Sequence, residues 1–292
     1  MITAIDGKAY AKLNLSLDVL GTMAGGYHEM KMIMQSASLC DDLHIELNDS
    51  GEVTMETNFG FLPRDDRNIA VKAARAFLAE AGLSCGVHIA LKKRIPVGAG
   101  LGGGSTDAAA VLRLLNELCG AGFSREKLER LGGALGSDVP FCIAGGTCLA
   151  TNRGEVLTPI APMPDCGLVI CKPRFSIKTP ELCAKIDSRR SRIHPDTDGL
   201  VSAIEAGDVT GIARRMYNVF EDVLPRRCGE VGVIKNRLLD AGALGAVMTG
   251  TGSAVFGVFP DYAAAEKAAD GLKAHYRETF AAQPVGTVSG VE

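Results

Sequence analysis

The glycine-rich segment Pro96–Asp107, which reads PVGAGLGGGSTD, constrains the fold of this chain more than any other feature. Five of the seven residues from 98 to 104 are glycine. Without side chains there, a ligand can approach the backbone N–H groups directly. A short strand pattern precedes the segment and a strong helix pattern follows it, so the free N–H groups and positive dipole end of the helix add to an anion site. A flexible linker would be polar and unflanked. The segment therefore predicts a loop that binds phosphate.

Two common phosphate-binding loops do not fit this segment. Gly98, Gly100 and Gly103 satisfy G-x-G-x-x-G, but a dinucleotide site also needs a second strand that ends in Asp or Glu about 20 residues later. That distance falls in a helical pattern, residues 124–135. A Walker A loop needs a lysine after its glycines, and none follows here. We therefore favour ATP held by another kind of glycine-rich loop, with Ser105, Thr106 and Asp107 available for phosphate oxygens or Mg²⁺.

Strand and helix patterns alternate in both halves of the chain, and 292 residues are enough for about two domains. We expect an α+β protein with an N-terminal domain over residues 1–157, a C-terminal domain over residues 158–292, and a linker at 158–165, which holds three prolines. Strands are predicted at 9–19, 30–38, 43–47, 87–91, 168–171, 245–248, 254–259 and the C-terminus, and helices at 69–81, 105–119, 124–135, 180–186, 198–206, 231–241 and 262–275.

Composition disfavours several classes of partner. The net charge is −3 with a pI near 6.0, and no basic block marks a nucleic-acid or acidic-membrane surface. The N-terminus lacks a signal-peptide pattern, and no apolar run approaches the roughly 20 residues that span a bilayer. The nine cysteines include no C-x-x-C pair, so we interpret them as reduced residues of a cytoplasmic protein.

Three motifs in order resemble those of the galactokinase–homoserine kinase–mevalonate kinase–phosphomevalonate kinase family. The glycine-rich segment, followed by an alanine-rich helix, resembles the second motif; Ala9–Leu15 resembles the first, and Val247–Phe256 the third. The resemblance implies an N-terminal domain like ribosomal protein S5 domain 2, a ferredoxin-like C-terminal domain, and an active site in the cleft between them. It also implies ATP and Mg²⁺ as cofactors.

Within that family, the chain is most similar to kinases that act on methylerythritol linked to cytidine diphosphate. The residues that carry this closer resemblance are Ala11–Asn14, Gly26–His28, Asp66–Asn68, Leu135–Pro140 and Gly154–Pro159. It implies that the C2 hydroxyl of this small-molecule substrate is phosphorylated, in the non-mevalonate route to isoprenoid precursors. We expect a monomer or a weak homodimer.

The resemblance places the catalytic residues at Lys12 and Asp138. An aspartate there can accept the proton of the attacking hydroxyl, although a plain N-cap of the following turn is the alternative. A lysine among apolar strand residues can pair with Asp138 and keep it ionised, although the strand pattern also allows it to face solvent. Strand alternation places Lys12 and Asn14 on one face, opposite Leu13 and Leu15.

The remaining site residues follow from the resemblance. The expected nucleotide-binding residues are Asn68, Pro96, Val97, Gly98, Ala99, Gly100, Leu101, Gly102, Gly103, Gly104, Ser105 and Thr106. The expected substrate-binding residues are Asn14, Tyr27, His28 and Thr179, with Tyr27 stacking on the cytosine and Thr179–Pro180 lining the cleft. Met34 replaces an aromatic ring of relatives and could pack on the base. Gly250–Ser253 would shape the cleft, and any metal would arrive with ATP, near Ser105.

Three other functions remain open. A sibling kinase for mevalonate or homoserine would share the fold, but those substrates lack the cytosine for which Gly26–His28 is suited. A nucleotide sensor without activity would have no use for Lys12 and Asp138. A nicotinamide-dependent oxidoreductase would bind NAD(P)H at the glycine-rich segment.

Overall fold

A computed structural model describes residues 3–189 and 193–287. The strands are β1 Ala4–Thr22, β2 His28–Asn48, β3 Val53–Thr57, β4 Gly86–Lys92, β5 Thr147–Asn152, β6 Val156–Pro159, β7 Gly167–Lys172, β8 Tyr217–Asn218, β9 Gly245–Met248, β10 Val255–Phe259, β11 Glu278–Ala282 and β12 Pro284–Val285. The α-helices are α1 Ile69–Ala81, α2 Gly103–Leu118, α3 Arg125–Gly133, α4 Val139–Ala144, α5 Thr179–Asp187, α6 Thr197–Glu205, α7 Val209–Arg215, α8 Glu230–Asp240 and α9 Tyr262–Lys273.

The first sheet is organised around the long antiparallel pair β1–β2. Its order is β3-β4-β2-β1-β8; β5 and β12 also pair with β2, and β6 pairs with β5. The register of β1 against β2 shifts between Asn14 and Ser16. A bulge of this kind changes the face to which the following side chains point. Leu13 and Leu15 accordingly lie in one buried cluster, whereas Leu17 belongs to another.

The second sheet has the order β11-β7-β10-β9. Together with α8 and α9 this is the βαββαβ arrangement of ferredoxin-like domains. On one face, Val169 and Cys171 share a buried cluster with residues of α8 and α9. On the other face, Ile170 and Phe256 share a cluster with Leu13 of β1. The two sheets are therefore joined by a continuous apolar interface.

The predicted α+β class with two domains is confirmed, and several element boundaries differ from the prediction. Helix α1 covers the predicted residues and ends at Gly82, which has a φ of 65°, as expected for a glycine after a helix. The two strands predicted at 30–38 and 43–47 form one strand, β2. Strands β3, β5, β6 and β8 and helices α4 and α7 were not predicted.

The domain boundary between residues 157 and 158 stays a prediction, and it falls within β6. The expected linker at 158–165 is held to β5, because Thr147 accepts the N–H groups of Ile160 at 3.2 Å and of Met163 at 3.0 Å. Two short strands from the second half of the chain, β8 and β12, belong to the first sheet. None of the described helices combines the length and the apolar character that crossing a bilayer requires.

Candidate active site

A cleft of about 980 Å³ lies over the glycine-rich segment. Other parts of the chain that line it include the segment 133–138, the turn 250–252, and the pair Tyr27–His28. Its size is at the upper end of the range typical of small-molecule sites. The motifs predicted to form the active site thus lie around one cavity.

The glycine-rich loop turns sharply before α2 begins. Gly98, Gly100 and Gly102 have φ values of 64°, 79° and 69°, a region that other residues rarely adopt. Helix α2 starts at Gly103, and its N-cap residue, Gly102, has no side chain with which to satisfy the first N–H groups. These groups, together with the helix dipole, make the start of α2 suited to bind phosphate.

Three hydrogen bonds fix the loop between the two domains. The Leu101 carbonyl accepts the N–H of Lys12 at 3.0 Å, and the Ala99 carbonyl accepts the N–H of Ala254 at 3.0 Å. The Gly100 carbonyl accepts the hydroxyl of Thr249 at 3.4 Å. The packing is close, because a Cβ atom on Gly100 would lie 2.2 Å from the Thr249 carbonyl oxygen. The loop is therefore shaped by β1 on one side and by the residues before β10 on the other.

A buried ionic cluster supports the start of α2 from below. Lys93 Nζ lies 2.5 Å from Asp41 Oδ2, 2.7 Å from Asp107 Oδ2 and 3.2 Å from the Gly103 carbonyl oxygen. Burial lowers the pKa of Lys93, but the two carboxylates outweigh it, so the pKa lies above the ordinary value. Burial raises the pKa of Asp107 well above its ordinary value, and the charge of Asp41 adds to this rise although Lys93 opposes it.

The cluster corrects two expectations at the helix start. Asp107 was expected to be available for phosphate or Mg²⁺, but it is buried and bonded to Lys93. Thr106 was expected to bind the nucleotide, but its side chain is buried and its hydroxyl donates to the Gly103 carbonyl at 3.0 Å. Only Ser105, the first of the three, is placed at the cleft without such a bond.

Lys12 and Asp138 lie next to each other at the cleft, and the Lys12 side chain packs against Gly102 at the start of α2. Lys12 Nζ is 3.4 Å from Asp138 Oδ2, and the Lys12 side chain is 6% exposed against 30% for Asp138. Asp138 precedes α4, but its side chain makes no capping hydrogen bond there. The plain capping role considered from the sequence therefore does not apply, and the carboxylate faces the lysine.

Asn14 was expected to contact the substrate, and the structure places it behind Lys12 instead. It is fully buried, and its Oδ1 accepts a hydrogen bond from Lys12 Nζ at 2.8 Å. Its backbone N–H donates to the Thr249 hydroxyl at 3.0 Å, and its amide contacts the Met32 sulfur at 3.4 Å. Asn14 can therefore orient the lysine, but it does not line the cleft.

Tyr27 and His28 form the far wall of the cleft. Tyr27 follows two glycines with positive φ and is 55% exposed. His28 Nε2 lies 2.8 Å from Asp187 Oδ1 at the end of α5. Met34, which was expected to pack on a base, is fully buried in the core. The cleft ends before it, and the thioethers at its wall belong to Met30 and Met32.

Of the other predicted residues, some line the cleft and one is buried behind its wall. Asn68 lines the cleft and caps α1 by accepting the N–H of Ala70 at 3.0 Å. Thr179 lines it as well, and its hydroxyl lies 2.9 Å from that of Thr251. Ser253 was expected at the cleft, but it is buried and donates to the Phe175 carbonyl at 2.5 Å.

Several residues at the wall were not predicted. They are Leu17, Met30, Met32, Leu62, Pro63, Arg67, Ile69, Lys93, Ile95, Gly133, Ala134, Leu135, Gly136, Ser137, Arg153, Glu155, Ile177 and Phe220. Ser137 could have been predicted from the sequence, because it adjoins Asp138. Lys93 and Ile95 were also within reach, since they lead directly into the glycine-rich loop.

The thiols are poor candidates for covalent chemistry. All nine cysteines are free, and burial raises the pKa of Cys148 and of Cys171 to about 11 and that of Cys166 to about 12. Thiolates are the nucleophilic form, so these three are protonated at neutral pH. None of the nine cysteines, all of which lie within the described residues, lines the cleft.

Comparison with known proteins gives matches over nearly the whole chain. Residues 68–146 match the model for the GHMP kinases N terminal domain, and residues 200–278 match the one for GHMP kinases C terminal. A 4-diphosphocytidyl-2-C-methyl-D-erythritol kinase of Alkaliphilus metalliredigens is 41% identical over 276 residues, which cover 94% of this chain and 95% of that protein.

Solved structures agree with these matches. A crystal structure of a 4-(cytidine 5'-diphospho)-2C-methyl-D-erythritol kinase superposes with a TM-score of 0.84 at 33% identity, covering 97% of this chain and all of the other. A homoserine kinase from Cytophaga hutchinsonii superposes with a TM-score of 0.76, covering 99% of this chain and 97% of the other. Its identity of 20% supports a common fold alone.

Proposed function

Since the chain belongs to the GHMP kinase family, in its 4-diphosphocytidyl-2-C-methyl-D-erythritol kinase group, we propose that it transfers the γ-phosphate of ATP to the C2 hydroxyl of 4-diphosphocytidyl-2-C-methyl-D-erythritol. The family resemblance inferred from three sequence motifs is thereby confirmed, and so is an ATP-dependent small-molecule kinase. The substrate and the roles of individual residues are the proposal.

The observation that carries the proposal is the position of Lys12 and Asp138 in one cleft with the start of α2, against which Lys12 packs. The phosphates of ATP would lie on the N–H groups at Gly103 and Gly104. The hydroxyl that attacks the γ-phosphate would then lie beside Asp138, which would accept its proton. Lys12, 3.4 Å from that carboxylate, would keep it ionised and balance negative charge as it develops on the transferred group.

Mg²⁺ would enter with the nucleotide. Over residues 3–189 and 193–287, no group of three or more His, Cys, Asp or Glu side chains is arranged to hold a metal ion. Ser105 is the first-turn residue of α2 that offers a hydroxyl to the cleft, and a hydroxyl oxygen suits a hard cation that keeps most of its ligands from phosphate and water. When bound, the ion would neutralise charge on the β- and γ-phosphates.

The Tyr27–His28 wall supports a cytidine substrate. A half-exposed tyrosine ring can stack on a pyrimidine, and an imidazole fixed by a carboxylate can bond to its polar edge. His28 meets that requirement through Asp187. Met30 and Met32, rather than Met34, would provide the apolar contact next to the base. A cytoplasmic location and a monomer or weak homodimer remain predictions.

A substrate panel tests the proposal. Purified protein is assayed for ADP formation with ATP, Mg²⁺ and, in turn, 4-diphosphocytidyl-2-C-methyl-D-erythritol, mevalonate and homoserine, and ³¹P NMR identifies the phosphorylated position. Turnover of the cytidine substrate with a new phosphate at C2 is expected. Turnover of mevalonate or homoserine alone would overturn the substrate assignment, and ATP binding without turnover of any of the three would indicate a nucleotide sensor.

A further inference from the structure

Arg153 lies at the cleft in a turn that is built to hold it. The turn joins β5 to β6, and Asn152 within it is the one residue other than glycine, among those the structure describes, with a positive φ, 63°. The Asn152 amide donates to Glu155 Oε1 at 2.8 Å, and the Arg153 N–H donates to Glu155 Oε2 at 2.8 Å. The Glu155 carboxylate therefore fixes the conformation of the turn, in which an asparagine tolerates a positive φ.

The turn also packs against the wall of the cleft. A Cβ atom on Gly154 would lie 2.8 Å from the Met32 methyl carbon, so the glycine lets the turn approach Met32 closely. Arg153 and Glu155 both line the cleft. The turn therefore fixes the backbone of Arg153 at the wall of the cleft, near Tyr27.

The guanidinium of Arg153 covers one face of the Tyr27 ring. Its central carbon lies 4.8 Å from the ring centroid, within the distance of a cation–π contact. Arg153 Nε is 3.4 Å from Glu155 Oε1, so the carboxylate sets the direction of the guanidinium. In the described part of the chain, no aromatic ring stacks on Tyr27.

Tyr27 needs such a restraint. It is 55% exposed and follows Gly25 and Gly26, whose φ values are 83° and 79°. Its carbonyl accepts the Met23 N–H at 2.6 Å, which fixes the backbone but leaves the ring free to rotate. A ring that must stack on a ligand binds it more tightly when its orientation is set beforehand.

We infer that Arg153 is a positioning residue for substrate binding: its guanidinium holds Tyr27 from one side, so that the pyrimidine base stacks on the opposite face. This inference rests on the proposed function, because it assumes a cytidine substrate at Tyr27. It concerns affinity and not the transfer step, since Arg153 acts through the tyrosine ring.

A double-mutant cycle tests the inference. Cytidine 5'-diphosphate is titrated by calorimetry into the wild type, Arg153→Met, Tyr27→Leu and the double variant. With Tyr27 present, Arg153→Met is expected to weaken binding of cytidine 5'-diphosphate roughly two- to fivefold, the range of an exposed cation–π contact. In the Tyr27→Leu background, the same change is expected to have no further effect. The KM for the cytidine substrate should rise by the same factor, with kcat and the KM for ATP unchanged.

The matched control is Arg75→Met. Arg75 has a similar exposure, 47% against 43%, and a similar ion pair, with Asp66 at 2.7 Å, but it lies on α1 away from the cleft. Its replacement should leave the affinity unchanged. Melting curves followed by circular dichroism confirm that each variant is folded.

Three outcomes would overturn the inference. Equal weakening by Arg153→Met in both backgrounds would indicate a role in the turn alone. A larger loss for cytidine 5'-diphosphate than for cytidine would indicate a direct phosphate contact. If Arg153→Met binds cytidine 5'-diphosphate as tightly as the wild type does, Arg153 has no role in substrate binding. If the wild type itself neither binds cytidine 5'-diphosphate nor phosphorylates the cytidine substrate, the proposed function fails instead.

Discussion

Lys12 Nζ lies 3.4 Å from Asp138 Oδ2 and is held there by a third side chain, Asn14, which accepts a hydrogen bond from the same nitrogen at 2.8 Å. The lysine is buried and the aspartate is partly open to the cleft. A buried cation is costly unless it is paired, so the pair places a fixed positive charge beside a carboxylate that a substrate can reach. That arrangement suits proton removal from an attacking hydroxyl.

Replacement of Asp138 by asparagine should remove most of the activity. The amide keeps the shape of the side chain but cannot accept the hydroxyl proton, so kcat is expected to fall about 100- to 10,000-fold. The KM for ATP should change by less than about threefold, because the glycine-rich loop is untouched. Steady-state kinetics with both substrates varied measures the two effects.

Asp270→Asn is the control for this variant. Asp270 pairs with Lys273 at 2.8 Å on an exposed part of α9, so its loss alters one surface charge in the same way, and surface pairs contribute little. Wild-type kcat is expected for Asp270→Asn. Wild-type kcat for Asp138→Asn would show that the carboxylate is not the base.

Asn14→Ala distinguishes a positioning residue from a substrate ligand. The change removes the acceptor that holds Lys12 Nζ, so kcat should fall about tenfold, the cost of one charge-assisted hydrogen bond. The KM for the cytidine substrate should stay within about twofold of the wild type, because Asn14 lies behind the lysine. A raised KM with unchanged kcat would return Asn14 to the substrate-binding role that the sequence suggested.

Much of the lining of the candidate site could be predicted from the sequence, because glycine-rich loops and charged residues in apolar strands are local signals. A loop with five glycines before a helix has few functions other than phosphate binding, and Lys12 is conspicuous in an apolar strand. The α1 boundaries were also predictable, since Asn68 and Gly82 are local helix signals.

The features that could not be predicted depend on contacts between residues that are far apart in the sequence. Met30, Met32 and Met34 alternate along β2, so the sequence predicts that they lie on one face of the sheet. It does not predict that the cleft ends before Met34. Asp107 looks like a ligand at a helix start until Lys93 is placed beside it. Asn14 was assigned to the substrate from the family resemblance. Its contact with Thr249, which follows β9 in the second sheet, could not be seen in the sequence.

Gly100→Ala should destabilise the protein by more than the cost of placing alanine at a positive φ. Its φ is 79°, and an added Cβ would lie 2.2 Å from the Thr249 carbonyl oxygen. Gly120→Ala is the matched control, since Gly120 has a φ of 60° but open space around it. The control should lose about 1 kcal/mol of unfolding free energy, whereas Gly100→Ala should lose more and also raise the KM for ATP.

Urea unfolding and ATP kinetics on both glycine variants measure these effects. The difference between the two unfolding free energies isolates the backbone clash, because the cost of the positive φ is common to both. Equal losses, with an unchanged KM for ATP, would mean that the loop can move away from Thr249 without consequence.

Asp41 and Asp107 share one lysine, but their replacement should have unequal effects. Asp41 Oδ1 accepts the N–H groups of Arg94 at 2.5 Å and Ile95 at 2.8 Å, in addition to the bond from Lys93 to Oδ2. Asp107 Oδ1 is buried and has no hydrogen-bond partner in the described residues. Asp41→Asn should therefore cost about 3 kcal/mol of unfolding free energy, and Asp107→Asn about 1 kcal/mol or less at neutral pH.

The pH dependence of Asp107→Asn gives the sharper test. Because burial and the charge of Asp41 raise the pKa of Asp107 above its unfolded value, the folded state holds the proton more tightly. Its contribution to stability is full below the unfolded pKa and is lost as the pH rises through the folded pKa. The wild type should therefore lose unfolding free energy relative to Asp107→Asn as the pH rises above about 4, the ordinary pKa of an unfolded aspartate, measured by urea unfolding at several pH values. A difference that stays constant or grows in favour of the wild type would mean that Lys93 keeps Asp107 ionised throughout.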